Sequence, residues 1–590
     1  MTASRDNSRH VSVPEQSRLR GRRACVAPVA ARRGPDSGRG RSPELRSLVA
    51  GLARGLVLAL ALLRTVAVAE PAQAPLPSFA ELEAAGARIG KIQIVVREIF
   101  DTEDPEEDKL LFRWANALHI QTHPGVIERS LLFKTGDPVS VRVIEETERV
   151  LRGNRYLYDV AMKPVAYRDG VVDVEVTTRD SWTLDLGLSA GRSGGANTSG
   201  LRISDYNILG TGITVSFGRS NDVDRSSNQF QFINQRAFGG WTTLSYTHVA
   251  SSDGGRDAFA VVRPFYERDA RWAAGIAASK DDRIEAVYNA GEVASEYRHW
   301  QDRGEVFGGW SRGLIDGWVR RYSVGLNYQD DAYAPEPGRV APGELPADEK
   351  LVGPFVRFQL IEDLYRKEQN RNQIGRPEYF DLGLASTVQL GWASTALGSS
   401  LDALLYSATI SRGFEPAPEQ TLIASGAISG QLVDGRVRRQ YLGGRAQYYA
   451  PQGRRWLFYA AASGDVLTEP GPLDELLLGG ENGLRGYPLR YQSGTRRALF
   501  TVEERFYTDL YIWRLFRIGG AGFYDLGRAW GGDNVNAANP GWLGNVGAGL
   551  RIVSARAAFS TVVHLDIAVP LNATADMDKV QFLVTTKGSF

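Results

Sequence analysis

From Trp182 to the C-terminus the chain runs in segments of about 9–12 residues that alternate apolar and polar positions between turn-forming residues. The end of the chain shows this best. In 560–571, Val563, Leu565, Ile567 and Val569 share one face, with His564 and Asp566 on the other. In 580–590, Val580, Phe582, Val584 and Phe590 share a face opposite Gln581, Thr585 and Lys587. Successive side chains of a strand point to opposite sides, so each segment has an apolar and a polar face. A lysine or arginine turned to lipid at midplane costs about 2–4 kcal/mol, so the charged faces must line a lumen. Segments of this length cross an outer membrane when tilted. Earlier stretches (183–191, 201–206, 213–218, 229–235 and 241–250) also read as strands. Residues 281–303 and 333–350 are polar or proline-rich and read as outside loops. Counting segments directly gives about 20 strands in 181–590.

Residues 89–180 have a soluble, globular texture. A strand is expected over 92–100, helices over 108–119 and 124–133, and a third helix over 141–152 behind the N-cap Ser140. Strands 157–166 and 171–178 follow, divided by the turn Arg168-Asp169-Gly170. The stretch 70–88, with Pro71, Pro75 and Pro77 ahead of a short helix-like segment, reads as a linker. Residues 1–45 are rich in Arg, Ser, Gly and Pro and read as disordered. After them Arg46 and Arg54 lie ahead of an apolar run over 56–63, and small residues follow it. That order predicts a secretory signal cleaved after Ala67-x-Ala69, with Ala72-x-Ala74 as the alternative. Arg64 shortens the apolar core and argues against a retained anchor. The leader is long for a signal peptide, so the true start is expected near residue 45.

Composition narrows the function classes. The formal net charge is +1, so nothing favours a nucleic-acid partner. The mean hydropathy of −0.25 is that of a soluble protein, but alternating strands average to such a value. The sole cysteine, Cys25, lies in the leader, so a processed chain has no disulfide and no thiolate metal site. Gly187-Leu188-Ser189-Ala190-Gly191 matches a nucleophile elbow but sits inside an alternating strand, where a strand-to-helix turn is required. His119 and His123 have helical i, i+4 spacing without an evident third ligand. Phosphate-loop and dinucleotide fingerprints are missing, so neither enzymatic activity nor a cofactor or metal is expected.

The stretch 476–530 carries the sharpest signal. LLLGGENGLRGYPLRYQSG is a glycine-punctuated loop with Arg485 between Leu484 and Gly486-Tyr487. Two strands follow, one with Glu503 on the face of Thr501 and Arg505, the other with Asp525 on the face of Phe523 and Gly527. Glu503 and Asp525 read either as a carboxylate pair for acid–base chemistry or as partners of a lumenal arginine. Glu504 then falls on the outward face, which requires a place at the membrane rim or beside a bulge.

Gly-Gly-x-x-x-Leu-Arg-Gly-Tyr from Gly479 and Gly480 onward, a Val-Glu strand and Phe-Tyr-Asp-Leu-Gly, in that order, resemble the signature of the BamA/TamA superfamily (bacterial surface antigen type) of outer-membrane assembly and translocation barrels. The resemblance implies a loop folded into the lumen, with Arg485 paired to Asp525 and Glu503 nearby. It also implies a mainly β fold with a C-terminal transmembrane antiparallel barrel of sixteen strands. The 89–180 unit resembles a single β-α-α-β-β POTRA domain in the periplasm, with the 101–122 insertion as a departure. The terminal strand ending at Phe590 resembles the C-terminal signal of bacterial barrels. Barrel closure would join the first and last strands, where Gly187, Gly191 and Gly588 weaken the seam. The implied partners are outer-membrane lipid and lipopolysaccharide, client polypeptides or nascent barrels, and a periplasmic or inner-membrane protein. A passive pore or surface-exposed structural protein of the same architecture is the alternative.

Overall fold

The computed structural model describes residues 76–375, 377–532, 541–554, 562–574 and 577–587. The leader with Cys25, the signal segment, Gly588 and Phe590 lie outside the described residues. A small α+β unit comes first. Its sheet places Val171–Asp180 in the centre, parallel to Arg88–Arg97 and antiparallel to Leu157–Arg168. Asp169 and Gly170 turn the hairpin with φ of 51° and 76°, as a tight turn between twisted strands demands. Helix Val141–Arg152 buries Ile144, Thr147 and Leu151 on one stripe; Ser140 holds its N-cap position without a side-chain cap bond. The helix at Pro124 stops at Glu128, and Phe133 reaches the core from irregular backbone. Upstream, Ser78 and Glu81 form a capping box on helix Phe79–Ala84, and fully buried Leu82 joins the same core. The assigned linker therefore includes part of the packed unit.

Among the described residues the rest is a closed antiparallel barrel of twenty strands. This corrects the sixteen implied by resemblance and agrees with the direct segment count. Alternation is plain in Phe516–Trp530, where Ala521, Phe523, Asp525 and Ala529 are buried and Tyr524 is exposed. Exposed Phe217, Ile276, Val324, Phe500, Ile567 and Phe582 belong to an apolar outer surface. Glu504 stays on that outward side, two residues from Phe506, which packs on Trp456 near the end beside the α+β unit. No helix among the described residues is long and apolar enough to cross a membrane, which says nothing about strands.

Three wall strands overrun the others. Trp272–Asn289, Glu292–Ile315 and Trp318–Pro335 keep pairing far past their neighbour Gly254–Arg263. The 24 residues of Glu292–Ile315 would extend roughly 80 Å at about 3.3 Å each, against a hydrocarbon core of about 30 Å. Residues 281–303 are thus mostly strand rather than loop. Their polarity misleads because a hairpin that runs beyond its neighbouring strand needs no apolar face. Its tip at Gly291 bends back to within 3.0 Å, measured from an added Cβ, of the Leu489 carbonyl oxygen.

At the opposite end the α+β unit docks on the barrel turns. The His123 amide donates to the Gly210 carbonyl at 2.9 Å, and Asn207 Nδ2 donates to Thr122 Oγ1 at 2.8 Å. The Arg268 amide donates to Glu146 on helix Val141–Arg152. Residues 101–122 supply a further contact, because Arg514 on the turn after Arg496–Ile512 pairs with Asp104 and Glu106.

Candidate functional site: a loop tethered inside the barrel

Residues 469–495 connect Trp456–Thr468 to Arg496–Ile512 and fold into the lumen from the end opposite the α+β unit, stiffened by the short ladder Leu476–Leu478 with Gln492–Gly494. Arg485 forks onto Asp525, with Nε to Oδ2 at 2.8 Å and Nη2 to Oδ1 at 2.7 Å. Its remaining Nη1 donates to Glu503 Oε1 at 2.8 Å and lies 3.6 Å from Asp566. The guanidinium carbon lies 3.4 Å from the centroid of Phe523, and the residue is only 8 % exposed. A planar guanidinium fits a carboxylate with two parallel bonds and an aromatic face with its own face, so this geometry asks for arginine and not lysine.

The wall positions follow from strand register. Asp525 pairs across with Thr501 and Asn545, and Glu503 with Phe523, so all are on neighbouring strands at one height. Asn545 Nδ2 donates to Asp525 at 2.8 Å while its Oδ1 accepts from the Gly486 amide at 3.2 Å. Arg505 binds the other oxygen of Glu503 at 2.8 Å, and Arg551 binds Asp566. Arg485, Arg505 and Arg551 thus face Glu503, Asp525 and Asp566 in a charge-balanced cluster. In such a set the cost of desolvation offsets much of the attraction between the charges.

The loop backbone fits closely. Leu484 and Tyr487 are fully buried with Leu478, Tyr491 and Leu543. The Tyr487 hydroxyl donates to the Gly544 carbonyl at 2.9 Å and accepts from the Asn572 amide. A Cβ on Gly486 would stand 2.7 Å from Asn545 Cβ, and one on Gly480 2.6 Å from the Tyr487 carbonyl oxygen, so both positions exclude a side chain. Gly527 leaves room for Leu478.

A second tether has no periodic signal in the sequence. Arg490 donates to both oxygens of Asp224, at 2.7 and 2.6 Å, and to Glu481 at 3.1 Å. The Tyr288 hydroxyl also donates to Asp224, and its ring lies 4.3 Å under the guanidinium. The Arg490 guanidinium, and secondarily the Tyr288 hydroxyl, hold the Asp224 carboxyl below its usual range despite partial burial. This binds the loop to the turn after Ile213–Asn221 and to the overhanging hairpin. Only the residue types hint at it; a lone Arg and a turn Asp give no periodic signal.

A second intrusion comes from the other end. Residues 363–384 contain the hairpin Tyr365–Gln369 with Pro377–Asp381, and its tip crosses to the far wall. Arg505 and Tyr507 both donate to the Arg371 carbonyl, at 2.8 and 3.1 Å, and Ile374 packs with Tyr449, Tyr459 and Tyr507. Between this tip and the Arg485 loop lies a cavity of about 950 Å³ lined by Asn372, Asn482, Arg485, Arg497, Glu503 and Arg505 among others.

The remaining assigned positions lie apart from the cluster. Phe582 and Val584 are on the last described strand, Gln581–Lys587, and Gly187 and Gly191 on the first barrel strand, Leu184–Ser193. Val584 is the register partner of Arg192, and this pairing joins the last strand to the first and closes the barrel. A Cβ on Gly191 would stand 3.4 Å from the Val584 carbonyl oxygen. The Gly-x-Ser-x-Gly run lies inside Leu184–Ser193. His119 and His123 do not share a helix face: His119 follows the end of Leu110–Leu118, and His123 precedes Pro124–Glu128. His119 Nε2 instead meets buried Asp180 at 2.9 Å, which also accepts from the Thr122 amide and hydroxyl.

No protein-family model and no curated protein matches the sequence. Among solved structures, CdiB from Acinetobacter baumannii aligns with a TM-score of 0.41 at 13% identity, over 84% of this chain and 73% of that one. CdiB from Escherichia coli gives 0.43 at 13%, over 84% and 76%. BamA from Haemophilus ducreyi lacking POTRA domains 1-3 gives 0.36 at 11%, over 84% and 85%. Likenesses of this size carry no weight for function, which must come from the chain's own residues.

Proposed function

We propose that this chain is an outer-membrane barrel of the BamA/TamA type, with a single POTRA-like domain in the periplasm. It helps insert barrel proteins into the outer membrane or moves polypeptides across it. The observation that carries the reading is the bidentate Arg485–Asp525 pair with Glu503 on the third guanidinium nitrogen. The three motifs that announce the family in sequence meet at one point in space. Both carboxylates are engaged by arginine, which favours a tether over acid–base catalysis.

Two features favour an active machine over a passive pore. The lumen is entered from both ends by ordered segments whose contacts would have to break for conduction. The wall closes between its first and last strands, where Val584 is the register partner of Arg192 and where Gly187 and Gly191 contribute no side chain to the edge. A client strand could pair with either freed edge by main-chain hydrogen bonds, and the outer edges of the POTRA-like sheet offer an earlier docking place of the same kind. Outer-membrane lipid and lipopolysaccharide surround the barrel, and the POTRA-like domain faces periplasmic or inner-membrane partners.

Depletion of the protein, followed by quantification of outer-membrane and secreted proteins, tests this. Loss of a defined set of barrels or secreted polypeptides is expected. Unchanged levels, together with a large steady conductance of the purified protein in planar bilayers, would establish the passive pore instead.

A further inference from the structure

We infer that helix Leu110–Leu118 lies in the headgroup region of the periplasmic leaflet of the same membrane, as a lipid-binding foot of the α+β unit. The inference rests on the membrane reading above. The helix has two apolar faces. One is committed to the protein: Phe112 stacks on Phe100 with ring centroids 4.0 Å apart, and Asn116 exchanges hydrogen bonds with the Phe100 backbone at 3.1 and 2.8 Å. The opposite arc carries Leu110, Leu111, Trp114 and Leu118, and Leu118 and Trp114 are 74% and 63% exposed. Four large apolar side chains within about 100° of a helix form a patch that water does not favour.

The occupant follows from what the patch adjoins. The cluster of Ile99, Phe100 and Phe112 that takes the buried face of the helix also packs Leu515, on the turn after Arg496–Ile512, and Trp182, at the foot of the first barrel strand. Trp513, in the same turn as Leu515, is 73% exposed, and Leu510 beside it is exposed as well. Exposed aromatics at this end of the wall are where a barrel meets lipid headgroups. The helical patch thus extends the apolar rim. Arg113 is paired with Asp108 at 3.0 Å and Lys109 lies over the Phe112 ring, so the hold of the helix on lipid is its apolar arc. The arrangement is that of an amphipathic helix lying in the interface plane, with tryptophan at headgroup depth.

The test uses the full chain with Cys25→Ser in phosphatidylethanolamine/phosphatidylglycerol nanodiscs. Single cysteines replace Trp114, Leu118 or, as a wall control, outward-facing Val546, and each carries an environment-sensitive fluorophore. Lipids bear a spin label at the headgroup or deep in the acyl chain. The expected result is a blue-shifted W114C and L118C emission that headgroup spin labels quench more than deep ones, with the reverse order at V546C. Aqueous, unquenched emission at both helix sites with V546C quenched would overturn the inference and leave the barrel reading intact. Unquenched emission at all three sites would remove the membrane reading, and this inference with it.

Discussion

Arg490 and Asp224 form a two-pronged ion pair although 266 residues separate them. The pair ties the infolded loop to a turn at the barrel mouth, and Tyr288 ties the overhanging hairpin to the same carboxylate. Because Arg490 holds the Asp224 carboxyl below its ordinary 3.8, the pair favours the closed mouth most above that value and loses its hold as pH falls through the lowered one. Brief opening events in planar bilayers should therefore become frequent only in acid. Asp224→Asn should show them at neutral pH, at a small conductance because the hairpin in 363–384 still narrows the path, and should flatten this part of the pH response; a closed neutral-pH variant would contradict the tether.

The domain-end hairpin predicts a non-additive result. Arg371 and Ile374 brace its tip against Arg505, Tyr507 and the tyrosines of the far wall. Replacing 370–375 by a short glycine linker should leave the lumen closed, because the Arg485 loop still occupies the outer half. Combined with Asp224→Asn, it should give a conductance larger than the sum of the two single changes. Simple additivity in bilayer recordings would mean that the two segments do not block one path in series.

The seam predicts a reversible block. Arg192 and Val584 are register partners, so cysteines there can be joined without moving strands far. Oxidised Arg192→Cys/Val584→Cys protein should fail to assemble or pass client polypeptide, and reduction should restore it. Equal activity in both states would show that clients do not use this edge.

What the sequence makes legible depends on how local the signal is. Asp525 and Glu503 could be set on inward faces by counting alternate residues, and Arg485 stood alone among glycines. Asp566 was on the inward face as well, yet its nearness to Arg485 comes only from closing the sheet. The Arg490–Asp224 pair depends on how two distant turns meet, which no pattern along either one contains. The hairpin in 363–384 is as polar as an outside loop, so composition cannot say that it turns into the lumen. Polarity misassigned 281–303 for the same reason. The count of twenty strands was present in the segments themselves, while sixteen came with the family resemblance.

The central claim is that the Arg485 tether serves the passage of clients more than it holds the barrel together. Arg485→Asp leaves carboxylates clustered in a buried site, and losing one partner of such a pair costs about 3–5 kcal/mol locally. The most direct measurement is client assembly or secretion in cells carrying Arg485→Asp, Asp525→Arg or both, with heat-modifiable gel mobility as the check on barrel folding. Each single change should abolish most client passage in a barrel that still folds, and the double change should recover part of it. Full activity in the single variants, or a double variant no better than either, would contradict the account.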